Sequence, residues 1–517
     1  MRADLRKKLK DECDKHVRRY LEYLYDLDDR ANRKSTRVGA PKQKDVRIPR
    51  YWGLDPRFNP FKVRLPRKLD TYSFTISQAI RQRRYKPATA VIRTIEKEGG
   101  GFRPINIFQL PDAALSRMIY KSLLKKNLSR FSSYAYAYRE ERSAHDAVYR
   151  MFAEWKRVDR IYVAEFDFTK FFDNISHDHI KHLLSDYDFL VTDEERFVID
   201  AFLKSKTDPL DSYSPTGGTT REVGIPQGTS ISLFLANLAC WEMDHALERL
   251  GVGFCRYADD TVIWSESYSK TVEAYEIIKE YGSRMGVPIN VEKSGGISLV
   301  TKQKHAEISF KRSIEYLGYS VSPCNLSFNA TCIKKIKGKL SYLAYQNLLQ
   351  PLKQGIFNRS RLSGIDWDYL VALDQIRRYL YGGLKDETLR LYLRGQIPQL
   401  NFRGLMSYYP LVNDAKQISM LDGWLIYTLK QCLILRERLW ITNHGLRLPG
   451  PRPDWIENLP ALKSWRDSSG VHYDLRVPSF ALINKAMQVG IKKVGVTAVS
   501  SPSSPSSSSL LFAQTLF

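Results

Sequence analysis

Cysteine is scarce and long apolar runs are missing from this chain of 517 residues. The six cysteines include no C-x-x-C pair, which argues against a disulfide scaffold and against a zinc ribbon or knuckle. We interpret them as reduced thiols of a cytoplasmic protein. The longest apolar runs, such as Ile231–Leu238, are far too short to span a bilayer, so no membrane association is expected. The first twenty residues also lack the apolar stretch of a secretory signal.

Acidic residues are outnumbered, with 56 Asp and Glu against 80 Lys and Arg, which leaves a net charge of +24. An excess this large usually indicates a polyanionic partner. Tyrosine and phenylalanine are abundant, and some of these rings could stack on bases, although most must fill hydrophobic cores. The composition therefore favours nucleic-acid binding over the alternative, a merely solvated basic surface.

Local patterns are mixed α and β up to about residue 325 and helical beyond it. Strands are predicted over Ala90–Glu96, Phe102–Ile107, Ile161–Phe166 and Glu315–Ser320, with a hairpin over Phe254–Trp264. Apolar periodicity predicts helices over Ser73–Tyr85, Pro111–Phe131, Ser143–Arg157, Ser232–Leu250, Lys270–Met285, Tyr369–Tyr381 and Met420–Trp440. Asp208–Thr220 is predicted to be an exposed loop, and the eight serines and two prolines of Ser500–Ser509 predict a disordered tail.

Three carboxylates occupy positions where a carboxylate is unfavourable without a partner. Asp167 ends an apolar strand, whereas Asp259 and Asp260 lie at the turn of the hairpin FCRYADDTVIW. If the three converge, they repel one another, and divalent cations remove that conflict. Mg²⁺ prefers hard oxygen ligands, and two ions can hold the attacking and leaving oxygens of a phosphoryl transfer. The set therefore suits nucleotidyl transfer, and an ordinary Asp-Asp β-turn is the alternative.

The segments around these carboxylates resemble those of reverse transcriptases. YADD is similar to the Y-x-D-D box of that family, and GIPQGTSISLFLAN is similar to its P-Q-G box. The other matching segments are GFRPINI, AYAYREERSA, EFDFTKFFDNISH, MGVPINVEKS and IEYLGYSVS. All seven occur in the family's order across residues 99–322, which makes a chance match negligible.

This resemblance implies an α+β fold of the right-hand polymerase type, with fingers and palm, an all-α thumb and a C-terminal helical extension. The expected divisions are a basic N-terminal extension at 1–65, fingers and palm at 66–325, a thumb-like region at 326–400, a C-terminal helical region at 401–498 and the Ser-rich tail at 499–517. The activity implied is RNA-directed DNA polymerisation from dNTPs on an RNA template.

The resemblance also implies roles for individual residues around the metal ions. Asp167 and Asp259 would bind two Mg²⁺ ions, with Mn²⁺ as a possible substitute, and the carbonyl of Phe168 would add a ligand. Asp260 would complete the catalytic cluster mainly through its charge. These assignments follow the positions that match the family's motifs.

Further residues match the nucleotide and primer contacts of the family. Arg103 would grip the triphosphate, and Phe172 would exclude a ribose 2′-hydroxyl, although it could be a core residue. Gln227 and Gly228 would line the nucleotide pocket, and Lys293 would protonate the pyrophosphate or be a solvated turn residue. The primer grip would consist of three consecutive residues, Leu317, Gly318 and Tyr319.

Among the branches of the family, the chain most resembles the bacterial defence-associated lineages, the "unknown group" and abortive-infection enzymes. GTSISLFLAN and LDQIRRYLYGGL carry this likeness, although the latter could be an ordinary amphipathic helix with a glycine cap. The branch implies antiphage defence, a structured noncoding RNA or a protein primer, and homo-oligomers. The alternatives are a group II intron-like or retron-like mobile-element enzyme, and an inactive RNA-binding scaffold.

Overall fold

A computed structural model describes residues 1–39, 41–96, 101–292, 294–302, 310–355, 366–445, 459, 464–466 and 470–499. Its strands are β1 Ala90–Glu96, β2 Phe102–Ile107, β3 Arg160–Phe166, β4 Lys206–Pro209, β5 Thr219–Thr220, β6 Gly253–Tyr257, β7 Asp260–Ser265, β8 Ile297–Thr301, β9 Phe310–Lys311, β10 Ile314–Tyr316, β11 Tyr319–Val321, β12 Leu326–Phe328, β13 Ser464–Arg466 and β14 His472–Asp474. The Ser-rich tail from residue 500 onward lies outside these residues.

The helices occur throughout and predominate after β12. They are α1 Arg2–Val38, α2 Pro60–Val63, α3 Pro66–Arg81, α4 Leu110–Asn127, α5 Ala144–Trp155, α6 Phe171–Asn174, α7 His177–Asp186, α8 Asp193–Leu203, α9 Ile231–Ala239, α10 Trp241–Leu250, α11 Tyr268–Arg284, α12 Ala330–Leu348, α13 Gln350–Lys353, α14 Trp367–Tyr381, α15 Asp386–Leu393, α16 Ala415–His444, α17 Phe480–Val494 and α18 Val496–Val499. The mixed α and β architecture predicted from the sequence is confirmed.

A five-stranded sheet in the order β6-β7-β3-β8-β9 forms the centre of the fold. One hydrophobic core, on which α4, α7, α9 and α11 pack, joins this sheet to the N-terminal half of the chain. A second core joins the sheet to the helices after β12, including α12, α14, α16 and α17. The sheet is therefore fixed from two sides, and its loops at one end are held by both halves of the chain.

A second sheet, in the order β2-β1-β4-β5, corrects the prediction for Asp208–Thr220. That segment is not simply an exposed loop, because its first residues extend β4 and its last two form β5. The pairing of β1 with β4 is parallel and joins residues more than 100 positions apart, so local sequence could not reveal it. The Tyr51–Trp52 segment packs on the same sheet through Val91.

Other boundaries also differ from the sequence predictions. The predicted helix Ser232–Leu250 is two helices separated at Cys240, and α3 begins at Pro66, because proline is well suited to the first turn of a helix. The predicted strand Glu315–Ser320 is a hairpin, and β13 with β14 adds a small sheet to a region predicted to be helical.

The helices beyond β12 share one core rather than two. LDQIRRYLYGGL forms the end of α14, where Leu373, Ile376 and Leu380 are fully buried and Gly382 caps the helix in the left-handed region. This segment is therefore an amphipathic core helix with a glycine cap. Of the described helices, α16 is long and apolar enough to cross a membrane, but a core helix passes the same test, and one face of α16 packs into the shared core.

Candidate active site

The three predicted carboxylates come together at one end of the central sheet. β3 and β7 are antiparallel neighbours, and Phe166 pairs with Thr261. Continuing this register by one pair places Asp167 opposite Asp260, a position in which the Cα atoms of antiparallel strands are about 4.5–5.5 Å apart. Asp259 stands in the turn that precedes β7. The sheet register therefore brings together two motifs that lie more than 90 residues apart in sequence.

The turn that carries Asp259 is only two residues long, because Tyr257 pairs with Asp260 across β6 and β7. Ala258 takes a left-handed backbone conformation with φ of 62°. The hydroxyl of Tyr316 lies 3.4 Å from the carbonyl oxygen of Asp260 and 3.3 Å from that of Cys255, so its one hydrogen can be donated to either. The β10–β11 hairpin thus packs against the β6–β7 turn.

The charges of the cluster are in conflict. The pKa of Asp260 is raised to about 8, because surrounding protein displaces water and because Asp259, Asp167 and Glu165 add negative charge. Asp260 is nevertheless open to solvent, so we give the repulsion between carboxylates more weight than the loss of water. Glu165, which the sequence analysis missed, is also ion-paired to Lys311 at 2.6 Å.

This cluster fits a hard divalent cation by its chemistry, since carboxylate oxygens in mutual repulsion are stabilised by such an ion. Within the described part of the chain, no three acidic, histidine or cysteine side chains already converge to hold an ion unaided. Mg²⁺ usually keeps water and substrate phosphates among its ligands.

Phe172 packs on Tyr138, a residue whose role the sequence analysis did not consider, and the charge of Arg103 also acts on Tyr138. The pKa of Tyr138 is raised, first by burial and then by the charge of Asp259, whereas the charge of Arg103 opposes the shift. The rings of Tyr138 and Phe172 meet edge to face at 6.4 Å. Phe171 is the core residue of the pair, at 2% exposure, and Phe172 is only partly buried. Phe172 therefore keeps part of its side chain accessible while its ring packs on Tyr138.

Gln227 and Gly228 form a loop that rests on the edge of β2. The Asn106 amide donates to the carbonyl of Gln227 at 2.7 Å, and the Gln227 side chain donates to Asp173 at 3.2 Å. Gly228 has φ of 125°, and a Cβ there would lie 2.1 Å from the carbonyl oxygen of Asn106. Only glycine allows this approach, so the loop and β2 form one surface.

The sequence of residues 95–321 matches the family model described as "Reverse transcriptase (RNA-dependent DNA polymerase)". The chain contains a reverse transcriptase domain. The protein is therefore an enzyme, an RNA-directed DNA polymerase, and the fold predicted from the seven segments is confirmed. Such domains act on an RNA template and generally depend on a divalent metal.

Solved telomerase structures are also similar to the chain. That of Candida albicans with a fragment of telomeric RNA is 11% identical, with a TM-score of 0.36 over 77% of this chain and 68% of the other. That of Candida tropicalis with the same kind of fragment is 12% identical, with a TM-score of 0.37 over 76% and 68%. At these scores the likeness adds nothing to the assignment, which depends on the family match.

The three residues predicted to form the primer grip occupy the β10–β11 hairpin. Leu317 and Gly318 form its two-residue turn, with φ of 49° and 84°. Tyr319 is 1% exposed, and its ring packs edge to face on Tyr409 at 5.4 Å. Its side chain therefore anchors the hairpin to the C-terminal region, whereas Leu317 and Gly318 are only partly buried. Lys293 lies outside the described residues.

Proposed function

We propose that Asp167, Asp259 and Asp260 are the catalytic residues of this polymerase and that Asp167, Asp259 and the Phe168 carbonyl hold two Mg²⁺ ions, which Mn²⁺ could replace. The position of Asp167 opposite Asp260, with Asp259 in the adjoining turn, carries this proposal. When bound, the ions would lower the pKa of the primer hydroxyl and neutralise charge on the phosphates. Asp260 would add negative charge that holds them.

The remaining residues would bind and orient the substrates. Arg103 would contact the triphosphate, since a guanidinium suits phosphate oxygens, and Lys293 would supply a proton to the pyrophosphate. The loop of Gln227 and Gly228 would form one wall of the nucleotide pocket. Phe172, packed on Tyr138, would exclude a 2′-hydroxyl. The Leu317–Gly318–Tyr319 hairpin would hold the primer end against the carboxylates.

Primer extension tests the carboxylate assignment. Asp259→Ala should abolish DNA synthesis at any Mg²⁺ or Mn²⁺ concentration while the protein stays folded and still binds template. Asp178→Ala is a matched control, because it removes an exposed carboxylate from α7 in the same domain. Full synthesis by the Asp259→Ala variant would show that the catalytic site lies elsewhere.

A basic cavity supports binding of a single RNA strand beyond the active site. Its volume is about 430 Å³, and Arg47, Arg50 and Arg93 line it together with Tyr51. None of the described lining residues is acidic, although Arg47 and Arg50 each pair with an aspartate outside the lining. Arg93 lies on the same face of the sheet as Arg103, because Arg103 pairs with the second residue after it. This face thus offers cations and an apolar floor to unpaired nucleotides.

We further propose that the template is a structured noncoding RNA and that the enzyme acts in antiphage defence, in the cytoplasm and as a homo-oligomer. The sequence resemblance to the defence branch supports the role, and six free cysteines are consistent with a reducing compartment. The division of the chain at 65, 325, 400 and 498 remains a prediction.

Sequencing the nucleic acid that copurifies with the protein tests this proposal. A single structured RNA with its DNA copy would support it, whereas intron or retron RNA would support a mobile element. The primer is revealed by the DNA 5′ end. DNA that stays on the protein after boiling in detergent, and is released by protease, would identify priming from a protein hydroxyl. Free DNA or an RNA 5′ end would exclude it.

A further inference from the structure

On β6, two residues before the turn that carries Asp259, a buried arginine links neighbouring elements. Arg256 is 0% exposed, and its guanidinium donates to both carboxylate oxygens of Asp244 at 2.7 and 2.6 Å. The same group donates to Asn237 Oδ1 at 3.2 Å and to the carbonyl of Ala258 at 3.0 Å. One fully buried cation thus connects α9, α10 and the two-residue turn.

The backbone of Arg256 extends this network to the segment that carries Tyr138. The Arg256 amide donates to Tyr134, and its carbonyl accepts from Tyr136, both at 2.9 Å. The Asn237 side chain donates to the carbonyl of Ala137, also at 2.9 Å. The wall beside Phe172 and the turn with Asp259 are therefore held by the same residue.

Stability alone is a poor explanation for this pair. Replacing a buried ion pair by apolar side chains of similar size is often neutral or even stabilising. The contact with Ala258 is different, because it is a charge-assisted hydrogen bond to a residue in the left-handed conformation, which alanine rarely adopts. A rigid guanidinium fork can bind the carboxylate and this carbonyl together, whereas an ammonium group cannot match that geometry.

We propose that Arg256, oriented by Asp244, is a positioning residue that fixes the Ala258–Asp259 turn and so sets where Asp259 stands relative to Asp167. This inference rests on the proposed metal-binding role of Asp259. Neither member of the pair contacts substrate, so the effect should appear in catalysis and in metal dependence rather than in template binding.

The test is the double variant Arg256→Met/Asp244→Leu, which leaves no unpaired charge in the core. We expect kcat per active site to fall, and the Mg²⁺ concentration for half-maximal activity to rise, each on the order of tenfold to a hundredfold. The dissociation constant for template-primer should stay within twofold. Arg256→Lys should show a smaller change in the same direction and carries the test if the double variant does not fold.

The matched control is Arg377→Met/Asp386→Leu, a buried pair on α14 and α15 whose arginine also donates to a carbonyl, that of Arg476. It should alter the melting temperature without altering Mg²⁺ dependence. Equal melting shifts in both double variants, with kcat and Mg²⁺ dependence unchanged, would overturn the proposal. Activity in Asp259→Ala, measured in parallel, would instead refute the metal assignment itself.

Discussion

Gly228→Ala is the most direct probe of how the nucleotide pocket is built. The added Cβ would lie 2.1 Å from a backbone oxygen of Asn106, which cannot swing aside as a side chain would. Since carbon–oxygen contacts are normally about 3.3 Å or longer, the loop must move away from β2 by about 1 Å. Gln227 moves with it.

The size of the effect follows from two terms. A φ of 125° is strained for any residue with a Cβ, at about 1–3 kcal/mol. Moving the loop also loses the 2.7 Å hydrogen bond from Asn106 to Gln227, about 1 kcal/mol. Because the loop can shift without unfolding the domain, we expect most of this energy to appear as weaker nucleotide binding. Each 1.4 kcal/mol changes a binding constant tenfold, so KM for dNTP should rise about tenfold to a hundredfold.

Steady-state primer extension with varied dNTP concentration measures the KM of the Gly228→Ala variant, and circular dichroism checks that the variant is folded. Gly383→Ala is the matched control, because Gly383 has φ of 98° but open space around the position of a Cβ. It introduces backbone strain without a clash and should leave KM unchanged. If Gly228→Ala is folded and has KM and kcat within twofold of the parent, contact with β2 does not position the nucleotide.

Three further changes test separate features. Phe172→Ala should raise ribonucleotide incorporation about tenfold or more in primer extension, whereas Phe172→Tyr should keep the parent's selectivity. Burial raises the pKa of Asp112 to about 6. The free energy of unfolding should therefore fall by up to about 3 kcal/mol as pH rises from about 4 to 6, because the folded protein must then hold a buried charge. Urea unfolding should show this fall in the parent but not in Asp112→Asn. Arg47→Ala/Arg50→Ala should lower the salt slope of RNA binding by about 2, and an unchanged slope would exclude the cavity.

The sequence by itself determined the reverse transcriptase domain and singled out three carboxylates that the structure brings near one another. Strand β3 and the hairpin β6–β7 have local signatures, since apolar, β-branched runs end at Asp167 and turn at Asp259. A carboxylate at such a position is unfavourable unless it is paired or hydrogen-bonded, so the sequence already suggests a special role for it. Periodicity and motif order are local properties, and local properties can be read directly from the chain.

Only the tertiary structure decided how these pieces meet. The register that faces Asp167 with Asp260, the parallel pairing that turns Lys206–Pro209 into a strand, and the place of Tyr138 beside Phe172 all join residues distant in sequence. Arg256 had no signal of its own, because an arginine in an apolar strand is explained only by its partner Asp244. Burial of a charge depends on what surrounds it, and the surroundings are set by the packing of elements that local patterns cannot relate to one another.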